Sequence, residues 1–226
     1  MIRQALAIVM LCLSLAGGSV DSLVDQTSLG GSLYLVNRSY RLTAHYQPDD
    51  LVRPEVRRLS SEIMMRREAA EKLEELFEAA AQEGLRLVAV SGYRSYETQR
   101  IIYQRKIKST GSVAKAERLV APPGASEHQL GLAMDIGRRS NTNLNMAFGR
   151  SREGEWVARH AHEYGFIIRY QDRWADITGY ADEPWHLRYV GVEHAEVIHA
   201  MDIPLETYVE QMQQTMFGEM YANLTP

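Results

Sequence analysis

Two short stretches hold the residues best suited to chemistry: Ser126-Glu127-His128-Gln129-Leu130-Gly131-Leu132-Ala133-Met134-Asp135 and Glu183-Pro184-Trp185-His186. His128, Asp135, His186 and Glu183 supply two imidazoles and two carboxylates. Zinc bound for catalysis usually takes three ligands from His, Asp and Glu and keeps a position for water. His128, Asp135 and His186 can fill the ligand places. Glu183 can then take the water's proton and later deliver it to a leaving amine. The metal would lower the pKa of that water and polarise a carbonyl, the division of labour that hydrolysis of a stable amide needs. Pro184 fixes its own φ and pushes Glu183 toward an extended conformation, which holds the carboxylate near the metal without making it bind.

The spacing constrains the backbone. Atoms that share one ion lie within roughly 3–4 Å of each other, because each is about 2 Å from it. His128 and Asp135 are too far apart on one helix, where seven residues rise about 10.5 Å. On one strand, an odd separation puts their side chains on opposite faces. The chain must bend between them, and Gly131 is the natural place. The stretch is expected as a loop turning into a strand. Spacing alone leaves a blander reading open. The chain has seven histidines (His45, His128, His160, His162, His186, His194 and His199), and a single histidine is more often a core or surface residue than a ligand. On that reading Glu183 is one more surface carboxylate and Asp135 a turn former.

The elements that must position these groups follow from periodicity and breakers. Val56, Leu59, Ile63, Ala70, Leu73, Phe77 and Ala80 recur on one face and predict an amphipathic helix after Pro54, stopped by Gly84. Residues 85–90 read as a buried strand that ends at Ser91-Gly92, where a tight turn exposes Tyr93-Arg94-Ser95. A second helix runs from Thr98 to Lys108, and a short helical piece from Val113 to Leu119 leads into the rigid Ala121-Pro122-Pro123-Gly124. A polar loop follows, from Arg138 to Asn145. Glu153–Tyr164 is helical, Phe166–Tyr170 a strand, Trp174–Ile177 its hairpin partner, and His186–Val190 a further strand. Two helices, Gly191–Met201 and Leu205–Phe217, close the chain. Residues 33–53 read as an extended arm. Helices and mostly antiparallel strands without regular alternation predict an α+β fold, a small sheet flanked by helices.

Composition narrows the partners. The chain has 226 residues, 45% of them hydrophobic and 24% charged, with a net charge of −4. That suits one soluble domain, and the missing basic face argues against nucleic acid. Arg3, the apolar run Ala5–Ala16 and the small residues Gly17-Gly18-Ser19 read as a secretory signal peptide over 1–18. An uncleaved run would instead anchor the protein to the membrane. Residues 19–32 are expected as a flexible tether and 33–226 as the single domain. Cys12 is the one cysteine, so a cleaved chain has neither a disulfide nor a thiol nucleophile.

Three ordered motifs carry a family resemblance. Ser126 to Asp135 fits S-x-H-x-x-G-x-A-x-D, Glu183 to His186 fits a downstream E-x-x-H, and Ser91-Gly92-Tyr93-Arg94-Ser95 fits an upstream S-G-Y-R-S. From Leu35 to Val209 the chain resembles the VanY-type D-alanyl-D-alanine carboxypeptidases, zinc peptidases related to VanX dipeptidases and L,D-carboxypeptidases. The resemblance implies a Hedgehog/DD-peptidase-like fold, His128, Asp135 and His186 as Zn2+ ligands, and Glu183 as catalytic base. Arg94 would stabilise the developing oxyanion or hold the peptide carbonyl, a job that suits a permanently charged group aimed in advance. Gln99 stands where relatives reach the substrate's terminal carboxylate, and Ser126 matches a serine that hydrogen-bonds substrate; a helix-surface amide and a loop cap are the plainer readings of these two.

The implied function is that of an exported enzyme, periplasmic or extracellular, removing the C-terminal D-alanine of peptidoglycan stem peptides. A pentapeptide ending in D-Ala-D-Ala comes first. No other protein partner is implied. L,D-carboxypeptidase action on a tetrapeptide is the alternative enzyme. A non-catalytic wall-binding module is the alternative of another class, but it should have lost a ligand or the base, and all four residues are present. Gln171, Trp174 and Asp182 depart from the family pattern and are expected at the border of the cleft, where they bear on substrate preference.

Overall fold

A computed structural model describes residues 20–224, with side chains from 24 to 215. The expected signal peptide, 1–18, lies outside the described residues. The described part begins with helix α1 (Val20–Thr27), followed by a two-stranded ribbon of β1 (Leu51–Val52) and β2 (Met65–Arg66) and by helix α2 (Arg67–Gln82). Then come β3 (Leu87–Ser91), α3 (Tyr96–Thr110), α4 (Val113–Glu117), the single turn α5 (Glu127–Leu130) and β4 (Ala133–Arg138). Helices α6 (Met146–Gly149) and α7 (Arg152–His160) lead to β5 (Phe166–Tyr170). Helix α8 (Ala175–Thr178) precedes β6 (Glu183–Tyr189), and α9 (Val192–Met201) and α10 (Leu205–Leu224) finish the fold. Among the described residues no helix is long and apolar enough to cross a membrane.

The main sheet has the order β3-β4-β6-β5, with every neighbouring pair antiparallel. The fold is α+β, as expected. The late strand β6 inserts between β4 and β5, so β4 and β6 are the two central strands. The strands bearing Asp135 and His186 are therefore paired on both edges, where backbone freedom is least.

Helix α2 buries the stripe Ala69, Ala70, Leu73, Leu76, Phe77 and Ala80. These residues share one apolar cluster with Leu87 and Ala89 of β3, Met134 and Ile136 of β4, and Leu187 and Tyr189 of β6. A second cluster joins Ile167, Val190, Ile198, Leu205 and Met212 to Leu33 of the extended arm.

Three expectations need correction. The helix begins at Arg67, not after Pro54. Residues 57–59 instead run beside β3: the Ala89 N–H donates to the Arg57 carbonyl at 2.9 Å and the Leu59 N–H to the Ala89 carbonyl at 2.8 Å. Leu59, read as a core position, is 59% exposed. The segment expected as a hairpin partner of β5 is a 3-10 turn (Asp172–Trp174) running into α8, and the strand that pairs with β5 is β6. The segment expected as a tether contains α1, and it is fastened: Gln26 Oε1 lies 2.8 Å from His194 Nε2, and Arg66 donates to the Gly30 carbonyl.

Candidate active site

The site is assembled by the pairing of β4 with β6. Asp135 and His186 are direct cross-strand partners, which places Asp135 Oδ1 3.1 Å from His186 Nδ1. His128 reaches the same point from α5. The backbone turns between them at Gly131, which takes the left-handed conformation with φ 76°. The bend required by the spacing is thus where it was expected, although the first half is one helical turn and not a loop. His128 Nε2 ends 3.3 Å from Asp135 Oδ2.

Glu183 and His186 are three apart, and on a regular strand they would face opposite ways. The ladder is irregular here. Ile168 pairs with Leu187 and Tyr170 with Glu183, so only Arg169 stands opposite Pro184, Trp185 and His186. This bulge of β6 brings the Glu183 carboxylate to 3.7 Å from His186 Nδ1. A smaller shift between Ala89 and Ser91 turns the end of β3 toward the site. There the Gly92 carbonyl meets His128 Nδ1 at 2.8 Å, and the Arg94 N–H donates to the His128 carbonyl at 3.1 Å. The Ser-Gly-Tyr-Arg-Ser motif is therefore a brace around His128 as well as the carrier of Arg94.

Each imidazole has one nitrogen committed. His128 Nδ1 faces the Gly92 carbonyl, which leaves Nε2 inward. His186 Nε2 faces Glu127 Oε2 at 3.4 Å, which leaves Nδ1 inward. His128, Asp135 and His186 can each offer a ligand atom within 4.8 Å of the others, and His128 Nε2 and Asp135 Oδ1 are buried with no hydrogen-bond partner. Oxygen and nitrogen atoms about 3.1–3.3 Å apart, with His128 Nε2 and Asp135 Oδ1 free of other partners, fit a tetrahedral zinc ion with ligand bonds near 2 Å. Burial, followed by the nearby Arg94, holds His128 down to about 4, so its ring is neutral. Burial also opposes charge on His186, but Asp135 and Glu127 win and push it up to about 9. Asp135 lies well below the usual carboxylate range because the two rings outweigh the burial that opposes its charge.

Around this centre is a pocket of about 230 Å³ lined by Arg94, Gln99, Lys106, Ser126, Leu144, Tyr170, Tyr180, Glu183 and Trp185 among others. Arg94 donates to Asp135 Oδ2 at 3.3 Å and to Gln99 Oε1 at 3.0 Å. Gln99 is buried in α3, and its Nε2 donates to the Ala121 carbonyl at 2.8 Å. Ser126 is the N-cap of α5, yet its side chain makes no cap bond. The seven residues expected to bind metal, bind substrate or catalyse thus meet in one pocket. Gln171, Trp174 and Asp182 do not: with Arg173, Pro184 and His199 they line a separate cavity of about 280 Å³. Asp182 nonetheless directly precedes Glu183 and its charge acts on that carboxylate, so it borders the cleft as expected, whereas Gln171 and Trp174 are not among the cleft's lining residues.

Sequence reasoning missed Glu127, Arg169 and Arg188, whose side chains are all fully buried. A signal was available. Arginine interrupts two otherwise apolar strands, at Phe166-Ile167-Ile168-Arg169-Tyr170 and Leu187-Arg188-Tyr189-Val190, and a buried charge calls for a buried counter-charge.

Comparison with known proteins gives this geometry a family. The model of the VanY D-alanyl-D-alanine carboxypeptidases matches residues 62–192. The chain belongs to that family. It is 48% identical over 200 residues to the putative carboxypeptidase YodJ of Bacillus subtilis (strain 168), covering 86% of this chain and 73% of YodJ. It is 34% identical to the bifunctional D-Ala-D-Ala dipeptidase and carboxypeptidase VanXYC of Enterococcus gallinarum, covering 82% of this chain and 97% of VanXYC. Among solved structures, the LdcB LD-carboxypeptidase superimposes with a TM-score of 0.76 at 49% identity, covering 80% of this chain and 87% of LdcB. A zinc-bound VanY D,D-pentapeptidase from a VanB-type resistance cassette does so with 0.66 at 36%, covering 79% and 98%. The protein is a carboxypeptidase of the VanY family, and its cofactor is Zn2+.

Proposed function

We propose that this carboxypeptidase releases the C-terminal D-alanine of peptidoglycan stem peptides, with His128, Asp135 and His186 as zinc ligands. The observation that carries the proposal is the Glu183 carboxylate, set beside a three-ligand cluster in a pocket that also holds Arg94. Bound zinc would polarise the scissile carbonyl and acidify its water. Glu183 takes that water's proton on a carboxylate oxygen and hands it to the nitrogen of the departing D-alanine. Burial above all lifts its carboxyl to about 7 in the metal-free site, within range for both accepting and returning a proton. The Arg94 guanidinium, fixed by Asp135 and Gln99, faces the oxygen on which negative charge develops. Both ends of the Gln99 amide are engaged, so its role is to aim Arg94. Ser126 keeps its hydroxyl for substrate. Lys106, seven residues after Gln99 on α3, adds a cation to the pocket wall, suited to a peptide that ends in a carboxylate.

Two bonds are candidates. The sequence expectation favours the D-Ala-D-Ala bond of a pentapeptide. The likeness to the LdcB LD-carboxypeptidase, 49% identical against 36% for VanY, favours the L,D bond of a tetrapeptide, and we take this as the preferred substrate. Purified zinc-loaded protein is incubated with each peptide and released D-alanine followed by mass. Faster release from the tetrapeptide is expected; release from the pentapeptide alone would restore the D,D reading, and release from neither would refute the function. Such substrates lie outside the cytoplasmic membrane, which accords with export by residues 1–18. Cell fractionation that recovers the protein in the cytoplasm would contradict export.

A further inference from the structure

Glu127 sits at the centre of a buried chain of charges that ends on one of the metal-binding rings. Its Oε1 accepts from Arg169 Nε and from Arg188 Nη1, each at 2.8 Å. Its Oε2 lies 3.4 Å from His186 Nε2, and both atoms are buried without a hydrogen bond. Buried polar atoms are rarely left unserved, and the charge contact between these two is what each has. Arg169 is in turn held by both oxygens of Glu206, at 2.9 and 2.6 Å, on the first turn of α10. Arg188 donates to the Ser32 and Tyr34 carbonyls of the arm, at 2.8 and 3.0 Å.

We propose that Glu127 is a positioning residue that holds the His186 ring by Nε2 so that Nδ1 faces the metal, and that Arg169 and Glu206 extend this hold to the C-terminal helix. The physical reason is local. An imidazole in a cavity can rotate about its Cβ–Cγ bond or carry its proton on either nitrogen. A carboxylate at Nε2 fixes both the ring's orientation and the tautomer that leaves a lone pair on Nδ1. Glu127 can do this only if it is itself immobile, and two buried arginines on one oxygen make it so. Those arginines come from two adjacent, paired strands, Arg169 from β5 and Arg188 from β6. The far end, Glu206, touches neither substrate nor metal.

This inference rests on His186 as a zinc ligand, so the test separates the two. Zinc affinity is measured by competition with a chromophoric chelator, alongside the visible spectrum of the Co2+-substituted protein, for wild type, Glu127→Gln, Glu206→Gln and His186→Ala. Glu127→Gln is expected to lose about 10–100-fold in affinity, with an altered cobalt spectrum. Glu206→Gln is expected to lose less, in the same direction. Should Glu127→Gln fail to fold around its unpaired arginines, Glu206→Gln and Arg169→Lys carry the test. If His186→Ala loses zinc while the folded clasp variants keep wild-type affinity and spectrum, the positioning role is overturned and the zinc site stands. If His186→Ala binds zinc as tightly as wild type, the ligand assignment itself fails, and the proposal fails with it.

Discussion

At the scale of single residues, the site's chemistry and its stability oppose each other at Glu183. Burial raises its carboxyl to about 7, against an ordinary glutamate in the unfolded chain. A raised folded-state pKa means that the group's contribution is fully present below the unfolded value and is lost as pH rises through about 7. Ionised Glu183 therefore strains the metal-free fold by on the order of 3 kcal/mol. Glu183→Gln should lower kcat for D-alanine release by about 10²–10⁴-fold with zinc content unchanged. In chelator-treated protein the same variant should melt at a higher temperature than wild type at pH 8, and the difference should shrink as pH falls and vanish only below the unfolded glutamate's value, at about pH 4. A melting point that ignores pH in both proteins would contradict the burial argument. Arg94 is a second residue-scale case. Arg94→Lys keeps the charge but loses the fork that engages Asp135 and Gln99 together, and a fall in kcat of about 10²-fold is expected from steady-state rates.

At the scale of elements, the site depends on turns that bring strand ends together. Gly92 is the tightest of these. A Cβ there would lie 2.2 Å from the Met64 carbonyl oxygen, a backbone atom that cannot swing aside. Gly92→Ala should cost about 1–3 kcal/mol in thermal melts and most of the activity, because the Gly92 carbonyl that anchors His128 must move. Gly84→Ala is the matched control. Its φ is positive, 78°, unlike that of Gly92, but its Cβ meets nothing within 4 Å. It should cost about 1–2 kcal/mol with kcat unchanged.

What could be read from sequence follows the same division. The bend at Gly131 was legible because no regular element lets His128 and Asp135 meet. The α2 face from Ala70 to Ala80 was legible because one element creates its period. Extending that helix back to Val56 failed because Leu59 keeps the helical spacing while its N–H serves Ala89 in another element. Periodicity carries no record of such long-range pairing. The β6 bulge was illegible for the same reason: only the partner strand defines it. Glu127 went unread because its importance comes from Arg169 and Arg188, 42 and 61 positions away in sequence.

At the scale of the whole molecule, buried carboxylates tie stability to acidity. Arg169, Arg188 and His186 outweigh the burial that opposes charge on Glu127 and hold it far below the usual carboxylate range, as the two histidines do for Asp135. For a depressed folded-state pKa the stabilisation is full above the unfolded value and drains away as pH falls below it. Melting temperatures measured from pH 7 to pH 3 should fall steeply at the acid end for wild type and more gently for Glu127→Gln. Removal of zinc should act on the same scale. Dialysis against a strong chelator should abolish D-alanine release and lower the melting temperature, since a ligand that binds only the folded chain stabilises it. Re-addition of Zn2+ should restore both.

The clasp around Glu127 has a further consequence for the order of events. It gathers the Ser32 and Tyr34 carbonyls from near the start of the described chain and Glu206 from its last helix. A polypeptide emerging end-first, from a ribosome or through a translocation channel, cannot close it until α10 has followed. Until then Arg169 is short of its two-pronged partner, and Glu127 is held by Arg188 without that support. If Glu127 steadies the His186 ring as proposed, a chain that stops before α10 should release D-alanine more slowly than the full chain even with every motif already synthesised.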